Sequence, residues 1–185
     1  MSSKSEIRSD IRAVRDALDV RARSTAAEKI RQQLLALDAV RDATAWFVYA
    51  SYGTEVETHD LIRTLLDRGD IVTIPRIVGS GEMIARQIHA FEELRLGEFG
   101  ILAPPAGEAF SGAIDVCVCP GLAFSDTGHR LGSGRGFYDR YLAAKAPRLA
   151  IGLALECQIR ADLPTEMHDR PMDFIITEER VICCH

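Results

Sequence analysis

Short apolar runs alternate along this chain with amphipathic stretches, and this alternation constrains the fold more than any other feature. Strands are predicted from the apolar and β-branched runs at 44–51, 71–75, 83–90, 115–121, 148–155 and 173–177. Helices are predicted between them from apolar periodicity and capping residues, over 3–19, 25–37, 58–69 and 137–145. Strands that alternate with helices favour a mostly parallel sheet covered on both faces. The sequence therefore predicts an α/β fold.

The composition is that of a soluble globular protein. The chain has 185 residues, 47% of them hydrophobic and 26% charged, which predicts a single domain over 1–185. Its net charge of −5 argues against broad nucleic-acid binding, which needs a dominant basic surface. No apolar run approaches the length of a membrane span, and residues 1–10 lack the apolar core of a signal peptide. A cytoplasmic protein is therefore expected. Residues 97–112, rich in Gly, Pro and Ala, are predicted to form a loop within the single domain.

The five cysteines give no sign of a zinc or redox motif, because no C-x-x-C spacing occurs. Cys117 and Cys119 flank a valine and should face the same side of a strand. The C-terminal Cys183-Cys184-His185 could bind a metal. We favour the simpler interpretation, that all five are reduced thiols without a catalytic function.

A glycine-rich segment at 130–140, "RLGSGRGFYDR", predicts a site for a phosphate group. Glycines let backbone N–H groups approach an anion, and the helix predicted from Phe137 would point its N-terminus at the same place. Arg130 and Arg135 add positive charge. The spacing matches neither G-x-G-x-x-G nor G-x-x-x-x-G-K-[ST], so a flexible turn between strand and helix is the alternative.

Other charged residues are candidates for ligand or metal binding, and each also has a simpler structural interpretation. Lys4 and Arg8 lie one helical turn apart and could contact one ligand, although the helix pattern alone favours a solvated basic face. Glu55 follows a strand end, where α/β folds usually bind ligands, but could be an ordinary loop carboxylate. Asp139 could bind Mg²⁺ or only favour a helix N-terminus. Asp169, beside His168, could serve a metal or cap a turn.

Residues 120–142, "PGLAFSDTGHRLGSGRGFYDRYL", resemble the signature of the 5-formyltetrahydrofolate cyclo-ligase family. Further matches come in the family's order along nearly the whole chain: Lys4-x-x-x-Arg8, the Glu-x-Glu-Thr segment at 55–58, the "IPR" strand end at 74–76 and the "HD" at 168–169. The resemblance implies a three-layer α/β/α sandwich with a mostly parallel central sheet. It also implies an ATP- and Mg²⁺-dependent conversion of 5-formyltetrahydrofolate to 5,10-methenyltetrahydrofolate, in which ATP is consumed as a co-substrate, Mg²⁺ serves as cofactor, and ADP and phosphate are released.

The same resemblance implies roles for individual residues. Lys4, Arg8 and Arg135 would be the catalytic cations at the ATP phosphates, and Asp139 with Asp169 would bind Mg²⁺. Ala50 and Glu55 would contact the folate. The cradle around the nucleotide would consist of Arg130, Leu131, Gly132, Ser133, Gly134, Arg135, Gly136, Phe137 and Tyr138. The protein is expected to act on small molecules as a monomer, without nucleic acid or membrane.

Several positions depart from the commoner family pattern, and they leave alternatives open. Ser133 stands where an aromatic or basic residue is common, and Ala103 where many members carry glutamate. Ser125 and Phe137 also differ from the usual residues. The alternatives are a divergent paralogue acting on another phosphorylated or CoA-linked molecule, a sugar-phosphate isomerase or CoA-transferase-like protein of similar fold, and a nucleic-acid-binding module built on the basic N-terminal helix.

Overall fold

The structure is a computed structural model that describes residues 3–79, 82–97, 100–164 and 170–184. Its strands are β1 (Ala45–Phe47), β2 (Ile71–Val78), β3 (Glu82–Ile88), β4 (Arg95–Leu96), β5 (Leu102–Ala103), β6 (Val116–Cys119), β7 (Ala123–Phe124), β8 (Arg130–Leu131), β9 (Leu149–Leu153), β10 (Phe174–Ile176) and β11 (Val181–Cys183). Seven of them form one sheet in the order β11-β10-β9-β6-β1-β2-β3. The remaining four form two short ribbons, β4-β5 and β7-β8.

The central sheet is mostly parallel, as the alternating pattern predicts. Strand β1 pairs in parallel with both β2 and β6, and β9 pairs in parallel with β6 and β10. Only the two edge strands, β3 and β11, run antiparallel to their neighbours. β2 lies on one side of β1, and β6, which comes later in the chain, lies on the other side, so the strand order reverses there. This reversal between β1 and β6 is the place where open α/β sheets bind ligands.

Four helices complete the fold: α1 (Lys4–Asp16), α2 (Val20–Ala36), α3 (His59–Asp67) and α4 (Phe137–Lys145). Helices α2 and α3 bury their apolar side chains in the core that contains Trp46. Helix α4 packs on the opposite face, where the rings of Tyr141 and Phe47 lie 4.4 Å apart between centroids. The sheet therefore lies between two helical layers, and the predicted three-layer α/β/α sandwich is confirmed.

Helix α1 lies apart from these layers. Its predicted capping box is confirmed, since the Ser3 hydroxyl accepts from the Glu6 N–H and the Glu6 carboxylate accepts from the Ser3 N–H. Ile7 and Ile11 are buried in a small cluster with Leu122, Ala123 and Leu131 of the β7-β8 ribbon. This packing places α1 beside the segment that follows the carboxyl end of β6.

One predicted helix start and one predicted helix cap are wrong. Helix α2 begins at Val20, five residues before the predicted start, because the Asp19 carboxylate accepts from the Arg21 N–H at 2.8 Å and caps the helix there. Helix α3 begins after Thr58 as expected, but the buried Thr58 hydroxyl does not cap it. That hydroxyl donates to the Tyr49 carbonyl at 2.6 Å, which leaves the capping role to the Glu57 carboxylate.

The predicted strands differ from the observed ones most at the strand ends and at the edges of the sheet. β1 covers only Ala45–Phe47 of the predicted run 44–51, although residues up to Ala50 remain buried. The predicted loop 97–112 contains β5, and β11 was not predicted. Both are short strands, whose pairing depends on a partner elsewhere in the chain. Among the described residues, no helix is long and apolar enough to cross a bilayer.

Candidate functional site

Two adjoining cavities open at the carboxyl ends of β1, β2 and β6, next to the reversal of strand order. The first has a volume of about 780 Å³ and lies between α1 and the loop that joins β8 to α4. The second, about 510 Å³, lies against the end of β2. They share a wall formed by Glu55, Pro120, Ser133, Arg135, Phe137 and Tyr138. Ligands in the two cavities would therefore meet at this wall.

The loop between β8 and α4 depends on its glycines for its shape. Gly134 has φ +101° and Gly136, the N-cap of α4, has φ +65°, both in the region that residues with a side chain rarely adopt. The Arg8 guanidinium lies against Gly134, since a Cβ there would be 3.5 Å from Arg8 Cζ. The backbone of this loop and the first turn of α4 line the first cavity, as the phosphate-cradle hypothesis requires.

Four basic residues on one side of α1, its basic stripe, face the first cavity, so a merely solvated face does not describe them. Lys4 and Arg8 line the cavity together with Arg12 and Arg15, two residues of the same stripe that were not predicted to belong to a site. Arg8 Nε also donates to the Gly132 carbonyl at 2.9 Å, which ties the helix to the loop. Six cationic and three acidic side chains line the first cavity. That balance favours an anionic ligand.

Arg130 and Asp139 form an ion pair under the loop. The Arg130 side chain is 5% exposed, donates to the Pro120 carbonyl at 3.3 Å, and holds its guanidinium 5.6 Å from the Tyr138 ring centroid. The Asp139 side chain, by contrast, is 33% exposed and lines the cavity. Arg130 therefore orients the Asp139 carboxylate from its buried side. The Arg130 side chain is more enclosed than the phosphate-cradle hypothesis implies, since that hypothesis expects it to face the ligand.

Glu55 belongs to a tight turn after β1. Its N–H donates to the Tyr52 carbonyl at 3.2 Å, and its carboxylate accepts from the Tyr52 N–H at 3.0 Å. Burial raises the pKa of Glu55 above the ordinary value, while the Tyr52 N–H and the nearby Arg15 cation oppose that rise. Glu55 lines both cavities, so one carboxylate with a raised pKa lies where they meet.

The second cavity is mainly apolar. Tyr49 and Ala50 form its base beside β1, and the Tyr49 hydroxyl is occupied in a 3.0 Å bond to the Val56 carbonyl. The remaining apolar side chains come from the β2-β3 hairpin, the β4-β5 ribbon and α4: Pro75, Ile77, Met83, Ile101, Leu102, Ala103, Phe137 and Tyr138. Such a lining with one carboxylate at its end suits a flat, partly polar ring.

The structure brings most of the predicted site residues together. Lys4, Arg8, Glu55, Asp139 and the whole 130–138 cradle line the first cavity, and Ala50 lines the second. Asp169 and His168 lie outside the described residues. Sequence reasoning missed Arg12, Arg15 and Thr54, although Lys4, Arg8, Arg12 and Arg15 follow one another at helical spacings of four, four and three residues.

The cysteines form no metal site in the described parts of the chain. Cys117 and Cys119 are buried on one side of β6, as predicted, with their Sγ atoms 3.6 Å apart, and all five cysteines are unpaired thiols. Within the described ranges, no group of three or more His, Cys, Asp or Glu side chains could hold an ion. His185 of the C-terminal tail falls outside those ranges.

Comparison with known proteins shows which family the chain belongs to. The sequence matches the 5-formyltetrahydrofolate cyclo-ligase family over residues 1–178. Enzymes named 5-formyltetrahydrofolate cyclo-ligase are 29% identical in Mus musculus, over 96% of this chain and 95% of the relative, and 31% identical in Mycolicibacterium smegmatis, over 97% and 96%. The NMR structure of Aquifex aeolicus 5,10-methenyltetrahydrofolate synthetase has a TM-score of 0.88 at 30% identity, covering 98% of this chain and 93% of that one. The chain belongs to the 5-formyltetrahydrofolate cyclo-ligase family.

Proposed function

We propose that this protein is an ATP-dependent ligase that closes 5-formyltetrahydrofolate to 5,10-methenyltetrahydrofolate and releases ADP and phosphate. The observation that carries the proposal is the shared wall between a strongly cationic cavity and a mainly apolar one. A triphosphate fits the chemistry of the first cavity and a reduced pterin that of the second. Their common wall would bring the γ-phosphate to the formyl group.

The proposed nucleotide site combines three sources of positive potential. Lys4 and Arg8 approach from α1, Arg135 from the glycine loop, and the N-terminus of α4 adds its helix dipole and backbone N–H groups. Phosphoryl transfer needs alignment and charge neutralisation more than a covalent nucleophile from the protein. This collection of cations and amides meets that need.

A magnesium ion fits beside these phosphates. Mg²⁺ is usually held by one or two carboxylates together with substrate phosphates. Asp139 presents one carboxylate to the first cavity, and Arg130 fixes its orientation from the buried side. Asp169 is the second carboxylate that the family resemblance implies. When bound, the ion would neutralise phosphate charge, and the two aspartates would be its protein ligands.

The proposed folate site places the pterin in the second cavity with Glu55 at its edge. An ionised carboxylate accepts the paired N–H donors of a pterin ring, and charge-assisted bonds of this kind are strong. The backbone near Ala50 and the apolar residues of the β2-β3 hairpin would cover the ring faces. Glu55 would then fix the ring so that its N5 substituent points to the wall shared with the nucleotide.

The chemistry follows from this alignment. The formyl oxygen on N5 attacks the γ-phosphorus of ATP, which breaks the bond to ADP and gives a phosphorylated imidate. N10 then attacks the formyl carbon to close the five-membered ring. Loss of phosphate, which carries away the former formyl oxygen, and of the N10 proton leaves the methenyl cation. Arg135 and the loop amides would stabilise the negative charge of the phosphoryl group as it moves.

The decisive experiment mixes the protein with ATP, Mg²⁺ and 5-formyltetrahydrofolate and follows methenyl absorbance and ADP together. Equal amounts of both products, with no ADP when the folate is omitted, would support the proposal. ADP formation with a CoA ester or a sugar phosphate, but none with the folate, would overturn it in favour of a divergent paralogue.

We further propose that the protein works as a cytoplasmic monomer on small molecules, without nucleic acid or membrane. The five cysteines are unpaired thiols, as suits a reducing compartment. Analytical ultracentrifugation of the active protein tests this proposal, and a mass near 20.4 kDa would support a monomer.

A further inference from the structure

Arg15 is a buried cation at the last turn of α1, only 8% exposed. Its Nε donates to the Thr54 hydroxyl at 2.9 Å, and that hydroxyl in turn donates to Asp16 Oδ1 at 2.6 Å. Burying a guanidinium is costly unless its hydrogen bonds and charge are used. The partner that it uses here belongs to the turn that carries Glu55.

The turn is rigid enough to transmit this contact. Thr54 directly precedes Glu55, and the two hydrogen bonds between Glu55 and Tyr52 close the turn on itself. A shift of Thr54 would therefore move the Glu55 backbone and its carboxylate. Arg15 also lies near enough to favour the ionised form of Glu55 against the effect of burial.

We infer that Arg15 is a positioning residue for folate binding, which holds the 52–55 turn through Thr54 and keeps the Glu55 carboxylate charged and aimed at the pterin. This inference rests on the proposed function. It gives α1 two tasks, because the same helix carries Lys4 and Arg8 to the nucleotide and Arg15 to the folate turn.

Other groups that face Glu55 set the direction of the pH effect. Tyr49 and Tyr138 interact with it electrostatically, and the pKa of each hydroxyl is raised well above its ordinary value by burial, so both are neutral. Arg135 shares both cavities with Glu55. Removing Arg15 takes away a charge that lowers the pKa of Glu55, so that pKa should rise and folate binding should fail at a higher pH.

The test measures binding of 5-formyltetrahydrofolate and of a non-hydrolysable ATP analogue by calorimetry over a range of pH. In Arg15→Met, folate affinity should fall roughly 10-fold or more, as for loss of a hydrogen bond from a charged group. The pH below which folate binding is lost, its acid limit, should move to higher pH. Analogue affinity should fall much less than folate affinity, because Arg15 contributes only charge to the first cavity but holds the folate turn through Thr54. Arg15→Lys keeps the charge, so it should restore the wild-type acid limit with only partial recovery of affinity.

Thr54→Val separates positioning from charge. It removes the hydroxyl but leaves Arg15, so folate affinity should fall while the acid limit stays at the wild-type pH. Arg41→Met, which removes an exposed arginine of a surface ion pair, is the control for general loss of a cation. If Arg15→Met fails to fold by thermal melting, Arg15→Lys and Thr54→Val carry the test.

Two negative results have different meanings. If the wild-type protein binds no 5-formyltetrahydrofolate, the proposed function fails and this inference falls with it. If the wild-type protein binds the folate and the folded variants keep its affinity and its acid limit, only the role of Arg15 is overturned.

Discussion

Arg8 donates a hydrogen bond of 2.9 Å from its Nε to the carbonyl oxygen of Gly132, which lies 124 residues further along the chain. This bond joins the N-terminal helix to the glycine loop, and the Arg8 guanidinium also lies against Gly134. The helix and the loop thus form one cationic surface along the first cavity. Arg8 has a structural task in addition to its proposed contact with phosphate.

Replacing Arg8 should affect nucleotide use more than folate use. In Arg8→Ala the loop loses a charged donor and the first cavity loses a cation, so we expect KM for ATP to rise roughly 10- to 100-fold. Steady-state kinetics with each substrate varied in turn measures the effect. Arg21→Ala, which removes an exposed arginine at the start of α2, is the control. An equal rise in KM for both substrates would contradict this separation.

Gly134→Ala should distort the cradle, because φ +101° is costly for alanine, by about 1–3 kcal/mol. We expect weaker binding of an ATP analogue, measured by calorimetry. Gly69→Ala is the matched control, since Gly69 also has a positive φ, of +81°, but ends α3 away from both cavities. That variant should lose thermal stability and keep its affinity for the analogue. Identical behaviour of the two variants would argue against the cradle.

The Arg130–Asp139 pair should contribute to folding as well as to function. Asp139→Ala leaves a nearly buried guanidinium without its carboxylate, which should lower the free energy of unfolding by about 1–3 kcal/mol. Thermal melting checks this, together with loss of Mg²⁺-dependent turnover. Arg130→Met combined with Asp139→Leu should recover much of the stability without the turnover. If turnover survives in the double variant, Asp139 does not bind the metal.

Folate binding should weaken in acid at a higher pH than an exposed glutamate would produce. Burial raises the pKa of Glu55, so as pH falls the carboxylate takes up its proton early and loses its capacity to accept two pterin N–H groups. Titrations of folate affinity against pH measure the limit, and Glu55→Gln should abolish it while weakening binding at neutral pH. In Glu92→Gln, which changes an exposed glutamate, the limit should stay in place. Its persistence in Glu55→Gln would assign it to another group.

The sequence by itself determined the main elements of the fold, because their signals are local. Apolar runs and helical periodicity located the strands and helices around the parallel sheet, and the 130–140 glycine segment indicated the loop that lines the first cavity. The start of α2 was missed because Asp19 caps the helix before the apolar pattern becomes clear. β11 was missed because a three-residue edge strand depends on β10 for its pairing.

Only the tertiary structure decided how the site is assembled. It placed the basic stripe of α1 against the glycine loop, enclosed Arg130 behind Asp139, and set Arg15 against Thr54. Each of these contacts joins residues that lie far apart in the sequence or depends on which side chains become buried. Burial and long-range geometry arise from the packing of the whole chain, so residue type and spacing could suggest the participants but not their partners.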